Sequence, residues 1–238
     1  MADSSPGSVL VNIFTSPSAA FAVIKERPSP WLPLLVLVVG AFAVQFTYMQ
    51  AVDFPWLMDQ QLQSGPAASQ LSEEERRQTV DAMTQIPASV LGVAQGASAG
   101  IVILIVYSLV ALYYTGVSFA THDGVKFKQW LALIAWCSLP GVFGLIASFV
   151  NLQVADARFL PAEQLNPLSF GSLLALEPQG ATIVQRILMQ LDVTVLWATV
   201  LQILGYQYFT QKSVVTATIV VLGPLALLVS ISALFALF

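Results

Sequence analysis

The sequence predicts an all-α integral membrane protein, a bundle of five transmembrane helices with the N-terminus cytoplasmic and the C-terminus on the opposite side. Three observations predict it. Five apolar stretches, Trp31–Val52, Val90–Ala120, Trp130–Leu152, Ile187–Phe209 and Val214–Phe238, each reach the roughly 20 residues that cross about 30 Å of hydrocarbon. Lipid offers the backbone no hydrogen-bond partner, so such stretches become helices. Second, 57% of the 238 residues are hydrophobic and 9% charged, and the mean hydropathy is +0.78, far from the balance of a soluble domain. Third, the charges sort by side. With the N-terminus inside, the inner segments 1–30, Thr121–Gln129 and Thr210–Ser213 hold Lys25, Arg27, Lys126, Lys128 and Lys212 against Asp3, Glu26 and Asp123. The outer loops hold Arg76, Arg77, Arg158 and Arg186 against nine acids, and all four lysines fall inside.

This gives two parts: a cytoplasmic segment, 1–30, and a five-helix membrane domain, 31–238. The first apolar run starts after thirty residues without a compact basic lead-in and is of full span length, so it reads as a retained helix rather than a removable signal. One cysteine, Cys137, excludes an internal disulfide, and one histidine, His122, excludes a histidine-based metal centre. No cofactor is expected. The net charge of −4 provides no basic field for nucleic acid.

Residues 1–8 read as a small, polar, disordered start. Ser16-Pro17 then supplies an N-cap and first helical residue for a run through Arg27 with Phe21 and Ile24 on one side. That helix lies in the inner interface or packs beneath the bundle. Pro28, Pro30 and Pro33 break regular structure, and Trp31 sits at headgroup level. Beyond the first span, Ser72-x-x-Glu75 matches a capping box and starts a short solvated helix. The second span is over-long, about 46 Å for its 31 residues, so it tilts or projects outward, or continues the Ser72 helix past Pro87. Its outer half repeats a small residue every fourth position, Gly92, Gly96 and Gly100, a stripe on which another backbone can approach closely. Packing within the chain is the preferred use of that stripe, a dimer contact the other. Pro140-Gly141 kinks the third span. Asn151–Arg186 carries the short apolar run LSFGSLLAL and reads as an interfacial or partly re-entrant outer segment.

Asp192 is the one acid placed inside a span, about 8 Å below the outer end when counted from Ile187. Thr199, Gln202 and Tyr206 follow it within an arc of about 80°, giving the fourth helix a polar stripe. Gln45 and Gln95 fall at similar depth on the first and second spans, so a cluster of Asp192, Gln45 and Gln95 is a candidate. Such a cluster holds a proton, an ion or a small ligand, or serves as an interhelical hydrogen-bond network; the network is the preferred reading. No catalytic constellation is visible. His122-Asp123-Gly124 reads as a turn, and Cys137 as a small buried hydrophobe.

Four passages carry a family resemblance: NIFTSPSAAF, FKQWLALIAWCSLPGVFGLI around Pro140, NPLSFGSLLAL, and LDVTVLWATVLQILGY with Asp192, Trp197 and Gly205. In order and spacing they resemble the Yip family of Ypt/Rab-interacting membrane proteins, in its compact bacterial branch. The resemblance implies five spans and a cytoplasmic N-terminus. Eukaryotic relatives act without known catalysis, binding prenylated GTPases and each other. This chain departs from them in having only thirty residues before its first span and no long acidic segment there, so GTPase binding is not carried across. The expected function is a non-enzymatic membrane scaffold or membrane-organising protein. It acts in the lipid bilayer by association with a second copy or another membrane protein. The rival is a small transporter or channel using the cluster around Asp192.

Overall fold

The computed structural model describes residues 5–64, 72–177 and 181–235. All of its named elements are helices, and the described residues hold one isolated bridge outside them. The first four residues of the N-terminal segment and the last three of the expected final span lie outside the described residues.

Order begins earlier than expected. Helix α1 runs Pro6–Thr15, because Ser5 caps it by accepting from the Ser8 N–H at 3.2 Å and Pro6 takes the first position, where a missing N–H costs nothing. The reading of residues 1–8 as disordered is therefore corrected from Ser5 onward. Helix α2, Pro17–Glu26, starts at the Ser16-Pro17 signal. Helix α3, Trp31–Ala51, is the first apolar helix. The next stretch forms two helices. In α4, Phe54–Ser64, Asp53 Oδ1 caps the start by accepting from the Trp56 N–H at 3.1 Å. In α5, Glu73–Thr84, the capping box forms as read: Glu75 N–H donates to Ser72 Oγ, and Ser72 N–H and hydroxyl donate back to Glu75. Those two donors hold the Glu75 carboxyl below its ordinary range.

Helix α6, Ala88–Thr121, has 34 residues and does not continue α5, since the chain breaks before Pro87. The turn after it has His122 and Gly124 at positive φ, with Asp123 accepting from the Thr121 hydroxyl at 2.8 Å. The expected third span is a pair, α7 Phe127–Cys137 and α8 Gly141–Val154, bent by 42° at Ser138–Pro140. Cys137 is buried as a free thiol. Two 3-10 turns, Ala157–Phe159 and Ala162–Gln164, lead to α9, Phe170–Leu173, and α10, Ile183–Gln190. Helices α11, Val193–Thr210, and α12, Val214–Phe235, complete the chain.

Helices α3 and α6 are long and apolar enough to cross a membrane, and the bent α7–α8 pair counts as a third candidate. The expected fourth span, Ile187–Phe209, is not one helix: it breaks at Leu191–Asp192, which leaves α11 with 18 residues. Neither proline nor glycine marks that break; tertiary pairing makes it.

The chain forms two compact units, one of residues 1–38, 101–141 and 194–238, the other of residues 39–100 and 142–193. In the first, α1 and α2 bury Val9, Ile13, Ala20, Phe21 and Ile24, and α7 buries Trp130, Leu133 and Ile134. Both N-terminal helices contact each other and α7 within this unit. In the second, Val44, Tyr48 and Met49 of α3, with Val52 just after it, pack with Leu57, Leu152, Ala157 and Leu165. The Tyr48 hydroxyl there donates to the Leu160 carbonyl at 2.8 Å.

Candidate functional site

In the second unit, polar chemistry gathers at the α10–α11 break. Leu191 and Asp192 leave the helical path, and the freed backbone groups pair with the segment before α9. The Phe170 N–H donates to the Leu191 carbonyl at 2.9 Å, and the Val193 N–H to the Leu168 carbonyl at 3.3 Å. Together they make an antiparallel bridge between Ser169 and Asp192. Asn166 Nδ2 donates to Asp192 Oδ2 at 2.6 Å, and Asn166 Oδ1 accepts from the Leu168 N–H at 3.0 Å. Asp192 immediately precedes α11, where a carboxylate suits the positive end of the helix dipole. Gly171 lets α9 approach α10: a Cβ there would meet Met189 Cγ at 2.8 Å and the Met189 backbone Cα at 3.0 Å.

In the first unit, an aromatic core joins α6, α7 and α11. The Trp130 and Tyr206 rings stack at 5.1 Å, Tyr114 meets both edge-on at 5.3 and 5.8 Å, and Phe209 lies 5.5 Å from Trp130. Trp130 Nε1 donates to Ser118 Oγ at 3.0 Å, and the Tyr114 hydroxyl donates to Gln202 Oε1 at 3.2 Å. The Tyr206 hydroxyl is buried without a hydrogen-bond partner among the described residues. Lys25 ties α2 to this core, its ammonium donating to the Phe209 carbonyl at 2.7 Å in the last turn of α11. A cation there satisfies a helix C-terminus.

The predicted residues thus fall in two places. Asp192, Gln45 and Gln95 belong to the second unit and Thr199, Gln202 and Tyr206 to the first. Asp192 meets Asn166, whereas Gln95 is exposed on α6 and Gln45 half-buried on α3. Thr199 turns its hydroxyl back to the Val195 carbonyl at 2.8 Å. Gly92 and Gly96 pack inside the chain, where a Cβ would meet Phe46 Cδ2 at 2.9 Å and Phe42 Cδ2 at 2.6 Å; Gly100 is buried. Pro140 and Gly141 lie at the 42° bend. Sequence reasoning passes over Asn166, which stands at the head of NPLSFGSLLAL, and counts Lys25 only as an inner charge, since its partner lies 184 positions away. Among the described residues no group of His, Cys, Asp and Glu is placed to hold a metal ion.

Across residues 11–235 the chain matches the family model of the Yip1 domain. The chain belongs to the Yip1 family. It is 26% identical over 199 residues to "Membrane protein YknW" of Bacillus subtilis (strain 168), a match covering 82% of this chain and 76% of that one. No solved structure matches.

The Yip1 domain of this chain therefore contains both polar groups and the bend between α7 and α8. The passages that carried the resemblance sit at its junctions. Pro140 lies at the bend, Asn166 and Gly171 at the α9 turn, Asp192 at the helix break, and Gly205 against Leu133.

Proposed function

We propose that this Yip1-family protein is a non-enzymatic scaffold of the cytoplasmic membrane that works by helix-mediated association with a second copy or another membrane protein. The observation that supports this reading is α6. Only 17% of its apolar window is buried by the chain, against 39% for α3. Its glycine stripe is already occupied by Phe42 and Phe46 of α3, which leaves Ile101, Ile105 and Leu112 exposed on the helix. Gly96→Leu would strike Phe42 and unfold that packing, so it cannot test association. Cysteine scanning at Ile101, Ile105 and Leu112 in lipid, with Cys137 replaced, reads α6 directly. Cross-links at a helical period support the scaffold. A chain monomeric at every lipid dilution removes the self-association form of the reading.

The helix break favours a second reading, transport of a small solute or ion past Asp192. Irregular backbone at the end of a span is tolerated where it is buried in protein or lines a water-filled cavity, and an acid at that mouth can draw a cation toward the path. This reading predicts that Asp192→Asn, which keeps a hydrogen bond to Asn166, abolishes flux in proteoliposomes while leaving the fold intact. Equal flux in both proteins eliminates it.

A further inference from the structure

We infer that the first unit carries a binding site for an anionic glycerophospholipid, in an open groove of about 450 Å³ between α2 and α11. That volume lies within the roughly 300–1,000 Å³ of small-molecule sites. The groove follows from where α2 breaks away from α1. Phe14, at the end of α1, packs edge-on against Trp197 at 5.5 Å, and Phe21, one turn into α2, meets Tyr208 at 6.0 Å. Between these contacts the chain turns through Ser16, and α11 is left uncovered. Phe21 and Leu204 give the groove apolar walls, while Ser18, Gln207 and Gln211 add uncharged hydrogen-bonding groups and Tyr208 a ring. Leu204, Gln207, Tyr208 and Gln211 recur at helical spacing, so they form one continuous face of α11. An apolar channel lined with neutral donors and acceptors fits a molecule that is acyl chain at one end and polar at the other.

Charge selects the anionic class. The first unit holds Lys25, Arg27, Lys126, Lys128 and Lys212, against Glu26 and Asp123 among the described residues. Two of these cations lie close in the chain to residues that line the groove. Lys25 is one helical turn beyond Phe21, with its ammonium fixed on the Phe209 carbonyl at 2.7 Å. Lys212 follows Gln211, where a positive φ of 57° ends α11 and turns the chain. Anionic headgroups are attracted to such basic edges by about 1 kcal/mol per lysine near the surface, or about fivefold in affinity. This site is separate from the scaffold reading and from Asp192.

Native mass spectrometry of the full chain, titrated with phosphatidylglycerol or phosphatidylcholine of the same acyl chains, tests it. The expected result is one retained phosphatidylglycerol per chain, held several-fold more tightly than phosphatidylcholine. Leu204→Trp, which fills the groove, removes that lipid, whereas Ile146→Trp, at an exposed apolar position of the other unit, retains it. Lys212→Gln, in an interhelical turn where folding is not at stake, lowers the preference for phosphatidylglycerol about fivefold. Equal affinity for the two lipids overturns the proposal, as does equal loss in Leu204→Trp and Ile146→Trp, which identifies lipid surrounding the whole protein. A wild-type chain that takes up neither lipid leaves the groove to a polypeptide and overturns it too.

Discussion

Gly205 shows how closely one residue can set the packing of a Yip1 domain. It lies on the buried side of α11, where a Cβ would come within 2.5 Å of Leu133 Cδ1 and 3.2 Å of Leu133 Cγ. Leu133 is fully buried beside Trp130, so it has little room to withdraw. Overpacking of this kind costs about 1–3 kcal/mol, against which alanine returns about 1 kcal/mol of helix propensity. Gly205→Ala is therefore expected to lower thermal stability in detergent, and Leu133→Ala to recover part of the loss when the two are combined. At Gly116, where nothing lies within 4 Å of an added Cβ, the same substitution is expected to be neutral or stabilising. A Gly205→Ala protein as stable as Gly116→Ala would show that the α7–α11 contact yields. Glycine in an apolar stretch is visible in a sequence, but its neighbour is not. Nothing near Gly205 in the chain points to Leu133, 72 positions earlier.

At the scale of elements, periodicity and breaker residues revealed most of the helices. Ser16-Pro17, the Ser72 capping box and Pro140-Gly141 each mark a start or a bend by local chemistry, whereas the Ser5-Pro6 start falls in a segment expected to be disordered. The α10–α11 break has no such mark, since residues 188–196 around it hold neither proline nor glycine. Its cause is the segment around Asn166, which offers Leu191 and Val193 alternative backbone partners and Asp192 an amide. The local hint was Asp192 itself, a residue type that favours helix starts over helix interiors. Helix α9 is held by the close approach of Gly171 to Met189, and the obstructing atom there includes backbone. Gly171→Ala is expected to part α9 from α10 and loosen the bridge to Leu191 and Val193. Hydrogen exchange at the Phe170 and Val193 amides would rise well above wild type, while exchange in α1 and α2, in the other unit, would not change. Unaltered protection at Phe170 would mean that the break stands without the α9 contact.

For the whole molecule, the break changes what five crossings would require. Eighteen residues make α11 about 27 Å long, close to the roughly 30 Å of hydrocarbon, with Asp192 just beyond its first residue. If α11 crosses, Asp192 sits at the boundary rather than inside the apolar layer, and the roughly 2.5–3.5 kcal/mol penalty of a central acid largely disappears. The lysine pattern then predicts Lys126 and Lys212 on one side and Glu177 on the other. If α11 instead lies along the surface, Ser213 falls on the side of Glu177. Single cysteines at Lys126, Glu177 and Ser213, in a chain with Cys137 replaced, distinguish the two arrangements by labelling with a membrane-impermeant maleimide. The expected outcome is that Glu177→Cys labels in intact cells, whereas Lys126→Cys and Ser213→Cys label only in inverted vesicles. Labelling of Ser213→Cys together with Glu177→Cys would remove the fourth crossing. It would also put Lys212 on the side of Glu177 and leave both α11 and Asp192 outside the hydrocarbon, where the polar junction with Asn166 could no longer serve as an ion path.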